Sequence, residues 1–212
     1  MRAKFASAGL TAGQLNAIVK KLGGHDAALR FLRGEISASE PTRSWREEDD
    51  VIYFSLTSDG STGEDWITRL EGKGFRMTDS TKEVLRSPDF KPTNGVTTEV
   101  AVLKGLLFEE DDDRITKNIR AEAFKRELHK PNAELACLIR EKFADEEIKT
   151  MGLHYIVAMH ESINDSRGVP YLLHTSCNDG GRRFDAKGIH SGQHWFRGFG
   201  FAFAVSRVSP QS

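Results

Sequence analysis

Phe199-Gly200-Phe201-Ala202-Phe203-Ala204-Val205 reads as a compact apolar strand near the end of a 212-residue chain. Upstream, Tyr171-Leu172-Leu173 reads as a second buried strand. The twenty-five residues between them, His174 to Gly198, show no periodicity and are dense in side chains that touch ligands. Ser176, Asn178, Asp179, Arg182, Arg183, Asp185, Lys187, His190, Gln193, His194, Trp195, Phe196 and Arg197 form the candidate ligand-binding set. An irregular polar loop held between two buried strands presents a binding surface on a rigid scaffold. The rest of the chain is expected to build that scaffold.

Working outward, Leu153 to Met159 reads as another strand. Before it come two helical segments, one carrying the stripe Leu135, Leu138, Ile139 and Phe143, the other running from Asp145 to Met151. Pro131 sits near the start of the first, where its missing N–H costs nothing. Ile115, Ile119 and Ala123, with Phe124 and Leu128 beside them, predict an amphipathic helix of about four turns. Val96 to Phe108 is β-branched at its start and apolar over most of its length, as in a central strand. Ser87 to Gly95 is rich in turn residues and reads as a boundary between modules. Ahead of it lie a strand candidate, Val51 to Leu56, and two short helices, one opened by Thr62 with Asp65 and one over Asp79 to Leu85. Ser37 to Asp50 reads as a linker. Thr11-Ala-Gly-Gln14 is a capping box for a first helix with Leu15, Ile18, Val19 and Leu22 on one face. A second helix spans Asp26 to Arg33. The expected division is a helical hairpin with linker over 1–50, a small α/β module over 51–95 and a binding domain over 96–212.

Apolar content of 38% and charged content of 29% describe a globular chain with enough Leu, Ile, Val and Phe for a core. A net charge of -1 provides no global field for nucleic acid or a membrane surface. From Arg167 onward, however, six Lys/Arg face two Asp. A partner with an acidic patch, or phosphate, therefore suits the loop. No apolar run is long enough for a bilayer. The start of the chain has no apolar signal region, and Cys137 and Cys177 are expected as free thiols in a cytoplasmic protein.

The order strand, helix, helix, strand, strand, loop, strand carries several local signatures. Ala121 to Leu128 ends the first helix, and Pro131-Asn-Ala-Glu134 is similar to a Leu-Pro-Thr-x-x-Glu helix start. Gly198 to Val205 is similar to a closing Gly-Phe-Arg strand. Over Val96 to Val208 the chain thus resembles the C-type-lectin fold in its calcium-free branch. That branch holds formylglycine-generating-enzyme-like domains and the variable proteins of diversity-generating retroelements. The resemblance implies an α+β fold: a mixed, mostly antiparallel sheet with two helices, preceded by a small helical and α/β region. It also implies a loop displayed to a protein or small-molecule ligand, hypervariable among relatives. The cysteine pair of the oxidases and the Glu-Pro-Asn motif of the sugar-binding lectins are both missing.

Two chemistries compete with binding. His190 and His194 have the i, i+4 spacing of zinc ligands on a helix, with Cys177 upstream as a third for a metal-assisted hydrolase. Gly188 and Gly192 flank them and argue against a helix. His160-Glu161, at a strand exit, is either an acid–base pair or a hydrogen-bonded structural histidine. The acidic run Glu109 to Asp113 reads as a solvated run favouring the N-terminus of the next helix. Trp195 either anchors the loop on the core or faces the partner with Phe196 and Arg197. Lys20, Lys21, Arg30 and Arg33 would serve a nucleic-acid-binding helix pair, whereas the apolar face of that pair suits self-association. No cofactor, metal or catalytic residue is expected under the binding reading.

Overall fold

The computed structural model describes residues 9, 11–37, 43–176, 182–190 and 192–205. The chain divides into two compact units, Met1–Arg43 and Ser44–Ser212.

In the first unit, α1 (Ala12–Lys21) and α2 (His25–Leu32) form the expected pair. Thr11 caps α1 reciprocally with Gln14, whose Oε1 accepts from the Thr11 N–H at 2.8 Å. Neither helix buries a residue, and Leu15, Ile18, Leu29, Phe31 and Leu32 are exposed. Arg30 and Arg33 both turn to the Glu35 carboxylate, at 3.5 and 2.7 Å. They do not project as a phosphate-binding pair.

The second unit is built on one open sheet of nine strands, with five helices among its described residues. The strands are β1 (Arg46–Glu48), β2 (Val51–Asp59), β3 (Asn94–Lys104), β4 (Leu128–His129), β5 (Tyr155–Ala158), β6 (Ile163–Asn164), β7 (Pro170–Ser176), β8 (Arg183–Gly188) and β9 (Phe199–Val205). Their order is β1-β2-β3-β9-β5-β7-β6, with β4 on β9 and β8 on β7. Every pairing is antiparallel except that of β5 with β9. The helices are α3 (Gly63–Gly72), α4 (Asp79–Arg86), α5 (Thr116–Lys125), α6 (Glu134–Lys142) and α7 (Asp145–Thr150).

β9 sits in the middle of this sheet, and its residues alternate in size because the pleat sends them to opposite layers. Phe201 and Phe203 enter a cluster with Ile119 and Ala123 of α5, Val157, Leu172 and Trp195. Ala202 faces the opposite layer, against Leu135 and Ile139 of α6, Ile148 of α7 and Leu153. Gly200 faces that layer too. A Cβ there would stand 2.6 Å from Val102 Cγ1 and 2.7 Å from Leu153 Cδ1. A third cluster joins α3, α4 and α6 to Leu173 and Phe184.

Several expectations need correction. The boundary expected at Ser87 to Gly95 divides nothing, because β2 pairs with β3 from Val51↔Leu103 to Asp59↔Asn94. Residues 51–95 therefore belong to the same unit as 96–212. Residues 43–50 of the expected linker contain buried Trp45 and strand β1. The helix at Ile115 is shorter than four turns, and Phe124 lies on its exposed face. It has no acidic residue in its first turn, so the acidic run does not support its N-terminus.

The expected unstructured loop is the largest correction: β7 continues to Ser176, and Arg183 to Gly188 forms β8 beside it. The outer edge of β8 is also satisfied. The Phe184 N–H donates to Arg76 O at 3.1 Å and the Ala186 N–H to Thr81 Oγ1 at 2.9 Å. With both edges bonded, a polar segment is stable as a strand.

Gly200→Ala should destabilise the second unit by about 1–3 kcal/mol, because the new methyl overpacks the layer between Val102 and Leu153. Ala204→Gly, in the same strand but half-buried, should cost under about 1 kcal/mol. Urea unfolding monitored by tryptophan fluorescence compares the two.

Candidate functional site

The face of β5, β7 and β8 that is not packed on α4 carries a polar stripe. Register places Tyr155 beside Ser176, Ser176 beside Arg183 and His174 beside Asp185. Along β8, Phe184 points into the core while Arg183, Asp185 and Lys187 line a cleft. The cleft has a volume of about 350 Å³ and is closed on its other side by Gln193 to Phe196 and Phe199.

That closing wall is aromatic. The rings of Tyr155 and Phe199 are 4.3 Å apart, and His174 lies 5.8 Å from Tyr155. Trp195 and Phe196 each stand 5.7 Å from Phe199. Trp195 is buried, whereas Phe196 is 75% exposed. Of the two readings of Trp195, the anchor holds: its indole N–H donates to Thr116 Oγ1 at 3.0 Å, and its ring packs on Phe201. It remains a lining residue of the cleft.

Arg114, 3% exposed, is the strut under this wall. Its Nη1 donates to Phe108 O at 2.6 Å and its Nε to Trp195 O at 3.2 Å, while the Trp195 N–H returns a bond of 2.8 Å to Arg114 O. The Arg114 guanidinium also pairs with Asp111 of the acidic run. Gly105 presses from below. A Cβ there would meet Arg197 O at 2.6 Å and Phe196 O at 3.0 Å, so only glycine lets the two backbones approach this closely.

The charges of the cleft are largely spoken for. Arg183 holds Asp185 through Nε at 2.7 Å and Nη2 at 3.4 Å. Burial pushes the His174 imidazole below its ordinary value, against the opposing pull of the Thr175 carbonyl and Asp185, so this histidine is neutral at pH 7. Lys187 forms no ion pair among the described residues and is the cation the cleft offers. Ser176 Oγ is buried without a hydrogen-bond partner among the described residues.

Ser176, Arg183, Asp185, Lys187, Gln193, His194, Trp195 and Phe196 of the candidate set are brought together here. Arg182 is not: it lies over the Phe75 ring and donates to Lys73 O at 3.0 Å, capping the end of α3. His190 lines a neighbouring cleft, and Arg197 is exposed but lines neither. Of the Lys/Arg residues of the set, Arg183 and Lys187 thus share the cleft, whereas Arg182 and Arg197 do not. Asn178, Asp179 and Cys177 lie outside the described residues. Tyr155, His174 and Phe199 belong to the cleft and were missed. They sit in apolar strands whose alternation, once β5, β7 and β9 are aligned, sends them to the same face.

Among the described residues the competing chemistries do not assemble. His194 turns its Nδ1 to Asp111 O at 3.2 Å, away from the cleft of His190. Among the described residues no group of three His, Cys, Asp or Glu is placed to hold a metal. His160 accepts from the Leu173 N–H at Nε2 (3.0 Å), so its Nδ1 carries the proton and donates to Glu161 O at 2.6 Å. The Glu161 carboxylate turns instead to Lys130. His160 is therefore a bolt between the β5 exit and β7.

Burial lowers the His160 pKa to about 4. The unfolded chain takes up a proton near 6.5 and the folded one does not. The stability from this neutral histidine is fully present above pH 6.5 and is lost as pH falls towards 4, about 3 kcal/mol in all. Urea unfolding across this window should show the loss in the wild type and a much shallower slope in His160→Gln. His174, shifted in the same direction, supplies the residual slope.

No protein-family model, no curated protein and no solved structure matches this chain, so its geometry alone carries the functional reading.

Proposed function

We propose that this chain is a binding protein, without chemistry of its own at the site, that presents the cleft of β5, β7, β8 and residues 193–199 to a protein or small-molecule ligand. The scaffold under it is, on this reading, a C-type-lectin-like domain. Support comes from the central place of the last strand between β3 and β5, from β4 lying on that strand, and from α5, α6 and α7 standing between β3 and β5 in sequence.

One observation carries the proposal. Phe196 is held three-quarters exposed at the end of a run of rings, beside a strand that turns Arg183, Asp185 and Lys187 to the same side. An anchored aromatic next to adaptable polar side chains is the composition of a binding surface, where aromatic residues contribute large contact area at low rotamer cost. A ligand with an apolar or aromatic group for the wall and a negative group for Lys187 fits it. Because Arg183, Asp185, Lys187 and Phe196 contribute little to the core, they are free to differ among relatives, as in a diversified loop.

Panning a random peptide library on the immobilised full chain should enrich sequences with an aromatic and an acidic residue. Phe196→Ala with Lys187→Ala should lower capture of those peptides at least about tenfold and leave Tm within a few degrees of wild type. Enrichment of peptides that bind the double variant equally well would place the binding surface elsewhere.

We propose also that the N-terminal helix pair associates with that of a second copy. Helices of ten and eight residues that bury nothing are not stable alone in water. Leu15, Ile18, Leu29 and Leu32 give each copy an apolar face to cover. Light scattering at micromolar concentration should report a dimer for the full chain and a monomer for Leu15→Glu with Ile18→Glu. A monomeric wild type refutes the pairing.

A further inference from the structure

A second cleft, about 550 Å³ in volume, opens on the other side of Gln193, between the start of α5 and the segment after β8. Lys117, Arg120 and His190 line it, and no carboxylate does. Neither Lys117 nor Arg120 touches a carboxylate among the described residues, and Arg120 adds only at longer range to Lys130 in holding the Glu161 carboxyl below its usual range. Arg120 is oriented by its Nη2, which donates to His160 O at 2.9 Å, while its Nε is buried and has no partner.

Three further features have the same sign. α5 starts at Thr116 behind Ile115, which has no side chain able to cap it, and its first turn holds no acidic residue. The positive pole of this ten-residue helix is left open at the cleft. Thr116 Oγ1 already accepts from the Trp195 indole, so its own proton is available to donate, and the Ser162 hydroxyl lies across the opening. Ile115, Pro170 and Ile189 supply an apolar part of the lining.

From this geometry we infer that the cleft is a site for a small organic phosphate. Cationic and hydroxyl side chains line the cleft together, which suits the oxygens of a tetrahedral group better than the two of a planar carboxylate. The volume exceeds that of a bare ion and lies in the range of small-molecule sites, so the apolar residues would contact the organic body. The inference is independent of the peptide-binding cleft, since it uses neither Phe196 nor Lys187.

The test is calorimetric titration of the full chain at low, constant ionic strength with phenyl phosphate, inorganic phosphate, benzoate and phenol. Saturable binding is expected for phenyl phosphate, tighter than for inorganic phosphate or benzoate, with none for phenol. Lys117→Gln with Arg120→Gln should weaken it at least about tenfold. Arg120 also braces His160, so the exposed Lys117→Glu alone serves as the second variant; its Tm should be unchanged and its affinity lowered. Phe196→Ala should bind phenyl phosphate like the wild type, which separates this site from the other. Absence of saturable binding, equal affinity for phenol, or affinity unchanged in Lys117→Glu overturns the inference.

Discussion

Both edges of β9 are hydrogen-bonded, to β3 on one side and to β5 and then β4 on the other, and the rest of the second unit follows from that constraint. A strand in this position must satisfy two layers at once. The bulk of Phe201 and Phe203 fills the layer under α5, while Gly200 and Ala202 let α6 and α7 approach the other face. Burial of each phenylalanine side chain contributes about 1.5–3 kcal/mol, and the small residues make that burial compatible with close packing opposite. The parallel β5–β9 pair forces a long crossover between them, and that crossover contains β6, β7, β8 and the segment that closes the cleft.

The same constraint sets the position of the aromatic wall. Residues 193–198 run directly into β9, so their exit is fixed by the sheet, while their entry is fixed by Arg114. The Arg114–Trp195 exchange of hydrogen bonds and the approach of Gly105 to the Phe196 and Arg197 carbonyls clamp the segment from two sides. Under such a clamp the backbone beneath the exposed Phe196 is already ordered. This is the physical content of preorganisation. The glycine and the buried arginine set the wall although neither lines the cleft.

Much of this was legible in the sequence wherever one residue type has one physical role. Capping boxes at Thr11 and Thr62, the helix stripe Leu135, Ile139 and Phe143, and the apolar runs of β3, β7 and β9 all stand where pattern places them. β8 was not legible because its pattern is nearly all polar: only Phe184 is fully buried, and the partners that make the strand, Arg76 and Thr81, lie about a hundred residues away. Trp45 and β1 were hidden for a similar reason, since a single tryptophan in a charged run has no period. The cleft residues on β8 and in the closing segment could be named from composition. Tyr155, His174 and Phe199 could not, because an apolar strand shows which residues alternate but not which face will be left open. Arg182 and Arg183 show the limit of reading charge alone. Arg182 stands just before β8 and Arg183 opens it, and they point to opposite sides, one to Phe75 and Lys73, the other to Asp185.

The two clefts are separate in chemistry but share hardware. Gln193 lines both, and Thr116, at the mouth of the cationic cleft, accepts the indole N–H of the tryptophan that underlies the aromatic one. A hydroxyl that both accepts and donates strengthens each bond through the other. The Thr116–Trp195 bond in turn holds the ring whose contacts to Phe199 and Phe201 fix the wall. One hydrogen bond thus ties the start of α5 to the segment that runs into β9, and the linings of both clefts depend on it.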